Sequence, residues 1–125
     1  MFHNCIFIML GGALGALLRY AVGCMTAGIR VLALPVGTLT VNLLGCLILG
    51  LLTGYADHHT DLPRHLVLML TVGFCGAFTT FSTFSAETLR AAESGHIWQA
   101  ALYVGVSFTA GFLLFWWGKT LTCPQ

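Results

Sequence analysis

Long apolar runs alternate with short polar breaks along nearly the whole chain, and four of them, residues 5–25, 34–55, 66–89 and 97–117, are each about as long as a membrane span. A helix needs about 20 mostly apolar residues to cross the hydrocarbon core, so the pattern predicts four transmembrane α-helices in one transmembrane domain over residues 1–125. The polar residues collect in the connections: Arg30 and Pro35 in the first, Asp57 to His65 in the second, Arg90 to His96 in the third. Connections this short predict that consecutive helices are antiparallel neighbours. No internal repeat, linker or second domain interrupts the series.

Composition fixes the solvent. With 58% hydrophobic and 7% charged residues, the surface has to face lipid. Five Lys and Arg against four Asp and Glu give no basic face for a nucleic acid or a polybasic membrane patch. The first apolar run has no basic leader and no Ala-x-Ala site, so it is expected to remain as the first span. Cys5, Cys24, Cys46, Cys75 and Cys123 are scattered, odd in number and without a CxxC pair. They are expected to be small buried apolar residues, neither a disulfide framework nor a thiolate metal site. His58, His59 and His65, with Asp57 and Asp61, match no ligand spacing and are expected to form a solvated loop.

Loop charge usually sets insertion direction, and here it nearly balances. One side holds Arg64 and Lys119; the other holds Arg30 and Arg90, with Arg19 close to it. So small a bias is compatible with insertion in both orientations, and equally with a noisy count in a small protein. Small residues recur four apart at Gly11 and Gly15, Gly50 and Gly54, and Ser107 and Gly111, a spacing that lets helix backbones approach closely in lipid. Four short helices leave little protein to surround a pathway, so at least a dimer is expected.

The most unusual stretch runs from Gly73 to Ser85, two glycines followed by a dense series of hydroxyls at membrane depth. Such a run weakens a helix. Two readings stand: a break near Gly76 to Thr79 that exposes carbonyl oxygens to a cation, or an unbroken helix whose hydroxyls bond back to the preceding turn. Phe81 and Phe84 share one helical face beside a stripe of Ser82 and Ser85. Ring edges and hydroxyls together can meet a small anion without a fixed charge that would trap it, although the same phenylalanines would serve equally as packing. Asn42 lies well inside the second helix with Thr38 one turn before it, either clipping helices together or offering a donor to a pore. Arg19 either snorkels to the headgroups or lines an aqueous vestibule. Glu87, near the end of the third helix, reads as a solvated acid or as the rim of a pathway.

Three blocks now resemble one family in order, the Fluc or CrcB fluoride channels: Gly11-Gly12-Ala13-Leu14-Gly15-Ala16-Leu17-Leu18-Arg19-Tyr20, Gly37-Thr38-Leu39-Thr40-Val41-Asn42-Leu43-Leu44-Gly45, and Gly73 through Phe84. The third, with Thr79-Thr80-Phe81-Ser82-Thr83-Phe84, is the specific one. The resemblance implies an all-α membrane protein with four transmembrane helices per chain, a broken third helix and an antiparallel dual-topology homodimer. Its two pores would export fluoride passively from the cytoplasm across a bacterial inner membrane. It implies that Phe81 and Phe84 contact fluoride, that Asn42 is the pore asparagine, and that Ser82 and Thr83 form a polar track. Tyr103 and Ser107 would flank the pore, Glu87 would stand at its rim and Arg19 in its vestibule. The carbonyls of Gly76 and Thr79 would hold a structural sodium ion at the dimer centre. The chain departs from the pattern at Gly111, one turn after Ser107, where a hydroxyl would continue the polar line.

Two other classes compete. A small dual-topology multidrug exporter exchanges its drug for protons at a membrane-embedded carboxylate, and no Asp or Glu is expected mid-helix. A noncatalytic assembly subunit would use the same polar residues only for packing. No constellation of nucleophile, base and acid suggests an enzyme.

Overall fold

The computed structural model describes residues 2–31, 34–59 and 61–122; Cys123 lies outside them. Helix α1 (Phe2–Met25) leads into a short hairpin, β1 (Arg30–Val31) and β2 (Leu34–Pro35), with Arg30 opposite Pro35 and Val31 opposite Leu34. Helix α2 (Val36–His58) follows. The third span is composite: α3 (Arg64–Leu68), a π-helical stretch (Met69–Cys75), the single turn α4 (Gly76–Phe78), two extended residues, and α5 (Phe81–Glu93). Helix α6 (Ile97–Leu121) completes the chain. Four stretches are long and apolar enough to cross a membrane, so this is a multi-pass membrane protein. The hairpin and the π-helical stretch were not expected from the apolar pattern.

Local chemistry sets the ends. Pro35, with φ fixed at −70°, precedes α2 and lacks the N–H that a helix start leaves unpaired anyway. Helix α5 stops in a Schellman turn: Gly95 takes φ +84°, its N–H bonds the Ala92 carbonyl, and the His96 N–H bonds the Ala91 carbonyl at 2.9 Å.

Packing follows the small residues and not the order of the chain. The first span packs mainly on the first half of the third, and α2 packs mainly on α6, whereas α1 and α2 touch little. The expectation that consecutive helices are neighbours is corrected for α1 and α2, whereas the third span does touch both α2 and α6. Close backbone approach, which only a missing Cβ permits, decides which helices pair. A Cβ on Gly11 would strike the Met69 carbonyl, and one on Gly15 the Phe74 carbonyl. On the other pair, Gly50 faces the Phe115 carbonyl and a Gly118 Cβ would come within 2.6 Å of the Leu47 carbonyl. The third span changes partner along its length, for α5 leaves α1 and packs on α6.

The chain alone buries little. Between 11% and 22% of each span's apolar window is covered, so most of each helix is left for lipid or another protein. A small cluster of Leu34, Phe84, Ala91, Ala100 and Tyr103 forms where hairpin, α5 and α6 meet. Cys75 is buried and Cys46 half-buried, but Cys5 and Cys24 are exposed, contrary to expectation. An outer face that meets lipid gives an apolar thiol no reason to turn inward. Asp57, His58, His59 and Asp61 of the histidine loop are exposed, as expected, whereas His65 is half-buried. His65 packs on Phe7 and His3 of α1, with ring centroids at 4.4 and 4.9 Å, and His59 stacks on Tyr55 at 4.0 Å.

Candidate functional site

The site is built around the two extended residues of the third span. Thr79 has φ −82° and ψ 160°, and Thr80 has φ −150° and ψ 116°. Side chains from other spans bond three backbone groups there. The Asn42 amide closes on Thr80 from both sides: its Nδ2 donates to the Thr80 carbonyl at 3.1 Å and its Oδ1 accepts from the Thr80 N–H at 2.8 Å. Arg19 donates through Nε to the Ala77 carbonyl at 2.9 Å. The Gly76 carbonyl, whose donor in a continuing helix would be the Thr80 N–H, receives no such bond. Gly76 also faces open space, with nothing within 4 Å of where its Cβ would stand. Thr80 then caps α5, its hydroxyl oxygen accepting from the Thr83 N–H at 3.3 Å.

Three cavities meet at this joint. The largest, about 610 Å³, opens between α1, the hairpin and α5 and is lined in part by Arg19, Arg30, Thr38, Thr80, Thr83 and Glu87. The second, about 410 Å³, lies between α2, α5 and α6 and is almost wholly apolar. Phe81, Phe84, Phe108 and Phe112 line it, with Asn42 and Ser107. The third, about 300 Å³, runs along α2 and the break, past Asn42, Gly76 and Thr79. Asn42 borders the last two. One of its two amide hydrogens is committed to Thr80, and the other has no partner among the described residues.

The aromatic residues form a connected line. Phe81 and Phe84 lie 6.0 Å apart between ring centroids, Phe84 meets Tyr103 at 5.0 Å and the edge of Phe108 at 6.2 Å, and Phe108 meets Phe112 at 6.5 Å. Phe84 is buried, whereas Phe81 is 72% exposed. The Ser107 hydroxyl lies in this apolar wall, buried and without a hydrogen-bond partner among the described residues. Gly111 lies one turn on, and the Cys46 sulfur stands 3.4 Å from where its Cβ would be.

Glu87 is not a freely solvated acid, and it lines the large cavity between α1, the hairpin and α5. It is the seventh of thirteen residues in α5 and half-buried. Thr38 of α2 donates to its Oε1 at 2.7 Å and Tyr103 of α6 to its Oε2 at 3.1 Å. The carboxyl group therefore ties three helices together, close to the C-terminal end of the third span, where the sequence placed it. Arg19 does not snorkel, because its guanidinium is held at the break while lining the large cavity. Ser82, Thr83 and Ser85 are exposed on α5; Ser85 bonds back to the Phe81 carbonyl at 2.9 Å and Thr83 shares a 3.0 Å bond with Thr80. Thr80, Phe108 and Phe112 were missed by the sequence reading. The four-residue spacing of Phe108 and Phe112 on α6 was the available signal for two of them.

Comparison with known proteins adds an independent line. Residues 6–119 match the family model described as CrcB-like protein, Camphor Resistance (CrcB). A protein of Acidobacterium capsulatum named fluoride-specific ion channel FluC is 45% identical over 116 residues, 93% of each chain. One of the same name from Pseudomonas fluorescens is 41% identical over 122 residues, 98% of each chain. A third, from Maridesulfovibrio salexigens, is 40% identical over 110 residues, 88% of this chain and 87% of the relative.

Proposed function

This chain belongs to the CrcB family, a family of ion channels and not of enzymes, and we propose that it is a fluoride channel that lets fluoride leave the bacterial cytoplasm passively across the inner membrane. The observation that carries the reading is the cavity between α2, α5 and α6. There the partnerless Ser107 hydroxyl and the spare Asn42 hydrogen converge on ring faces and edges of Phe81, Phe84 and Phe108. Fluoride is small and strongly hydrated, so a pathway has to replace its water with donors and leave no site deep enough to retain it. An amide hydrogen, a hydroxyl and the positive edges of aromatic rings meet that need without a fixed cation in the narrow part. The arginines stand where they draw anions inward: Arg19 and Arg30 line the large open cavity on the far side of the Asn42–Thr80 joint. Thr83 and Ser82 continue a hydroxyl track along α5, and Glu87 and Tyr103 fix the angle of α5 against α6.

The functional unit in this reading is an antiparallel dual-topology homodimer with two pores. Support comes from Phe81, whose ring is largely uncovered in one chain, and from the open face at Gly76. A second copy, inserted the other way up, would complete the wall that one chain leaves unfinished. At its centre the carbonyls of Gly76 and Thr79 would hold a structural sodium ion. The residues fit such a hard cation, since the Gly76 carbonyl is without its helical donor and Gly76 itself borders open space. When bound, the ion would supply positive charge that holds two helix breaks together.

Efflux from liposomes loaded with fluoride tests the proposal. Purified protein should release fluoride quickly with no proton gradient, and chloride should not follow. A dimeric Phe81→Ile protein, which keeps most of the apolar burial, should lose at least about tenfold in rate. Release that requires a proton gradient and Glu87 would instead identify a proton-coupled exporter. Near-normal flux in Phe81→Ile would remove the phenylalanines from the pathway.

A further inference from the structure

Besides the three cavities of the pathway, a fourth of about 280 Å³ opens where the hairpin meets the end of α5 and the start of α6. Arg30, Arg90, Ser94 and His96 supply its polar lining, with Leu34 and Pro35 as an apolar floor. Neither guanidinium makes a hydrogen bond or ion pair among the described residues, and the ion pair between Lys119 and Asp57 lies at the opposite end of the bundle. The one acid in its lining, Glu87, makes no ion pair with either arginine among the described residues, and each of its oxygens accepts from a hydroxyl of α2 or α6. The cavity is thus a pair of unneutralised forks with a histidine beside them.

Its depth is also marked. Helix α5 ends at Glu93 and α6 starts at Ile97, so the cavity lies at the level where spans leave the bilayer. Trp98, two residues after His96, is 85% exposed, as an aromatic anchor at headgroup depth would be. Guanidinium forks match phosphoryl oxygens in geometry and charge. From this placement we propose that Arg30 and Arg90, with His96 and Ser94 beside them, bind a phosphoryl group at the membrane surface, with the glycerophospholipid headgroup as its nearest source. The inference needs only that the helices cross a bilayer, and it stands whichever ion the pathway carries.

The test is native mass spectrometry of the purified full chain, delipidated in detergent and titrated separately with phosphatidylglycerol, a phosphate-free glucosyl diacylglycerol and inorganic phosphate. Phosphatidylglycerol should bind at least tenfold more tightly than the glycolipid. Arg30→Gln with Arg90→Gln should lower that affinity by tenfold or more, as the loss of charge-assisted hydrogen bonds requires, while Arg30→Lys with Arg90→Lys should retain part of it. Binding of inorganic phosphate that falls in the Gln variant, without lipid preference, would support the same phosphoryl site with a soluble source. Equal binding of both lipids to the wild type, together with no phosphate binding, would overturn the proposal even if the variants failed to fold.

Discussion

Asn42 does at the residue scale what a helix ordinarily does for itself. By pairing with both the N–H and the carbonyl of Thr80, it lets the third span open at membrane depth without leaving backbone polar groups bare in hydrocarbon. The expected cost of Asn42→Leu is about 1–3 kcal/mol for each group left unpaired, read as a lower melting temperature in detergent. Asn42→Asp separates this clamp from the pore. The carboxylate still accepts from the Thr80 N–H, so the folded protein should survive better than in Asn42→Leu, yet fluoride efflux should fall further because a charge now repels the anion. Equal loss of stability and flux in both would reduce Asn42 to packing. Tyr103→Phe and Thr38→Val should each loosen α5 by removing one donor from Glu87, seen as faster hydrogen exchange in residues 81–93. The sequence marked Asn42, Arg19, Glu87 and the phenylalanines as residues of interest, since polar groups are rare in such a chain. It did not show their partners. Arg19 and the Ala77 carbonyl lie 58 positions apart, Asn42 and Thr80 lie 38, and no local pattern encodes such pairs.

Among the elements, glycine position decides which helices pair. Gly11 and Gly15 lie against backbone carbonyls of the third span, and Gly73 answers from the other side, where its Cβ would stand 2.6 Å from the Ile8 carbonyl. Gly11→Ala or Gly15→Ala should therefore force α1 away from the third span. The cost is expected to be about 1–3 kcal/mol or more, since backbone cannot yield as a side chain can. Gly105→Ala, with nothing within 4 Å, should leave the stability within about 0.5 kcal/mol of wild type, read as a nearly unchanged melting temperature. Comparable losses at both positions would show that the α1 interface is not a glycine seam. These spacings were legible because a four-residue repeat puts small residues on one face. The hairpin and the π-helical stretch were not. Two paired residues on each strand leave no alternation to detect, and the extra residue in a π-turn changes the helical phase without changing hydropathy.

Over the whole molecule, the structure sharpens the charge balance from which dual insertion was inferred. The shared ends of α2 and α6 place Lys119 beside Asp57 at 2.9 Å, on the face that also carries Arg64, while Arg30 and Arg90 line one cavity on the other. Arg19, the charge that tilted the count, is held by the Ala77 carbonyl at the break and is not a loop charge at all. Two arginines then stand against one arginine and one lysine already paired with an acid, so neither face has a strong claim to the cytoplasm. Added charge should impose one. Two lysines placed in the exposed segment around His58 and His59 should fix one orientation, and two placed beside Gly95 should fix the other. If the active unit is the inverted pair, each variant expressed alone should yield chains of one orientation and little fluoride efflux, and the two expressed together should restore most of it. Activity in either variant alone would mean that a parallel pair or a single chain completes the pathway. The exposed Phe81 ring would then need its other wall from lipid, where an anion stripped of water has no donor to replace what it lost.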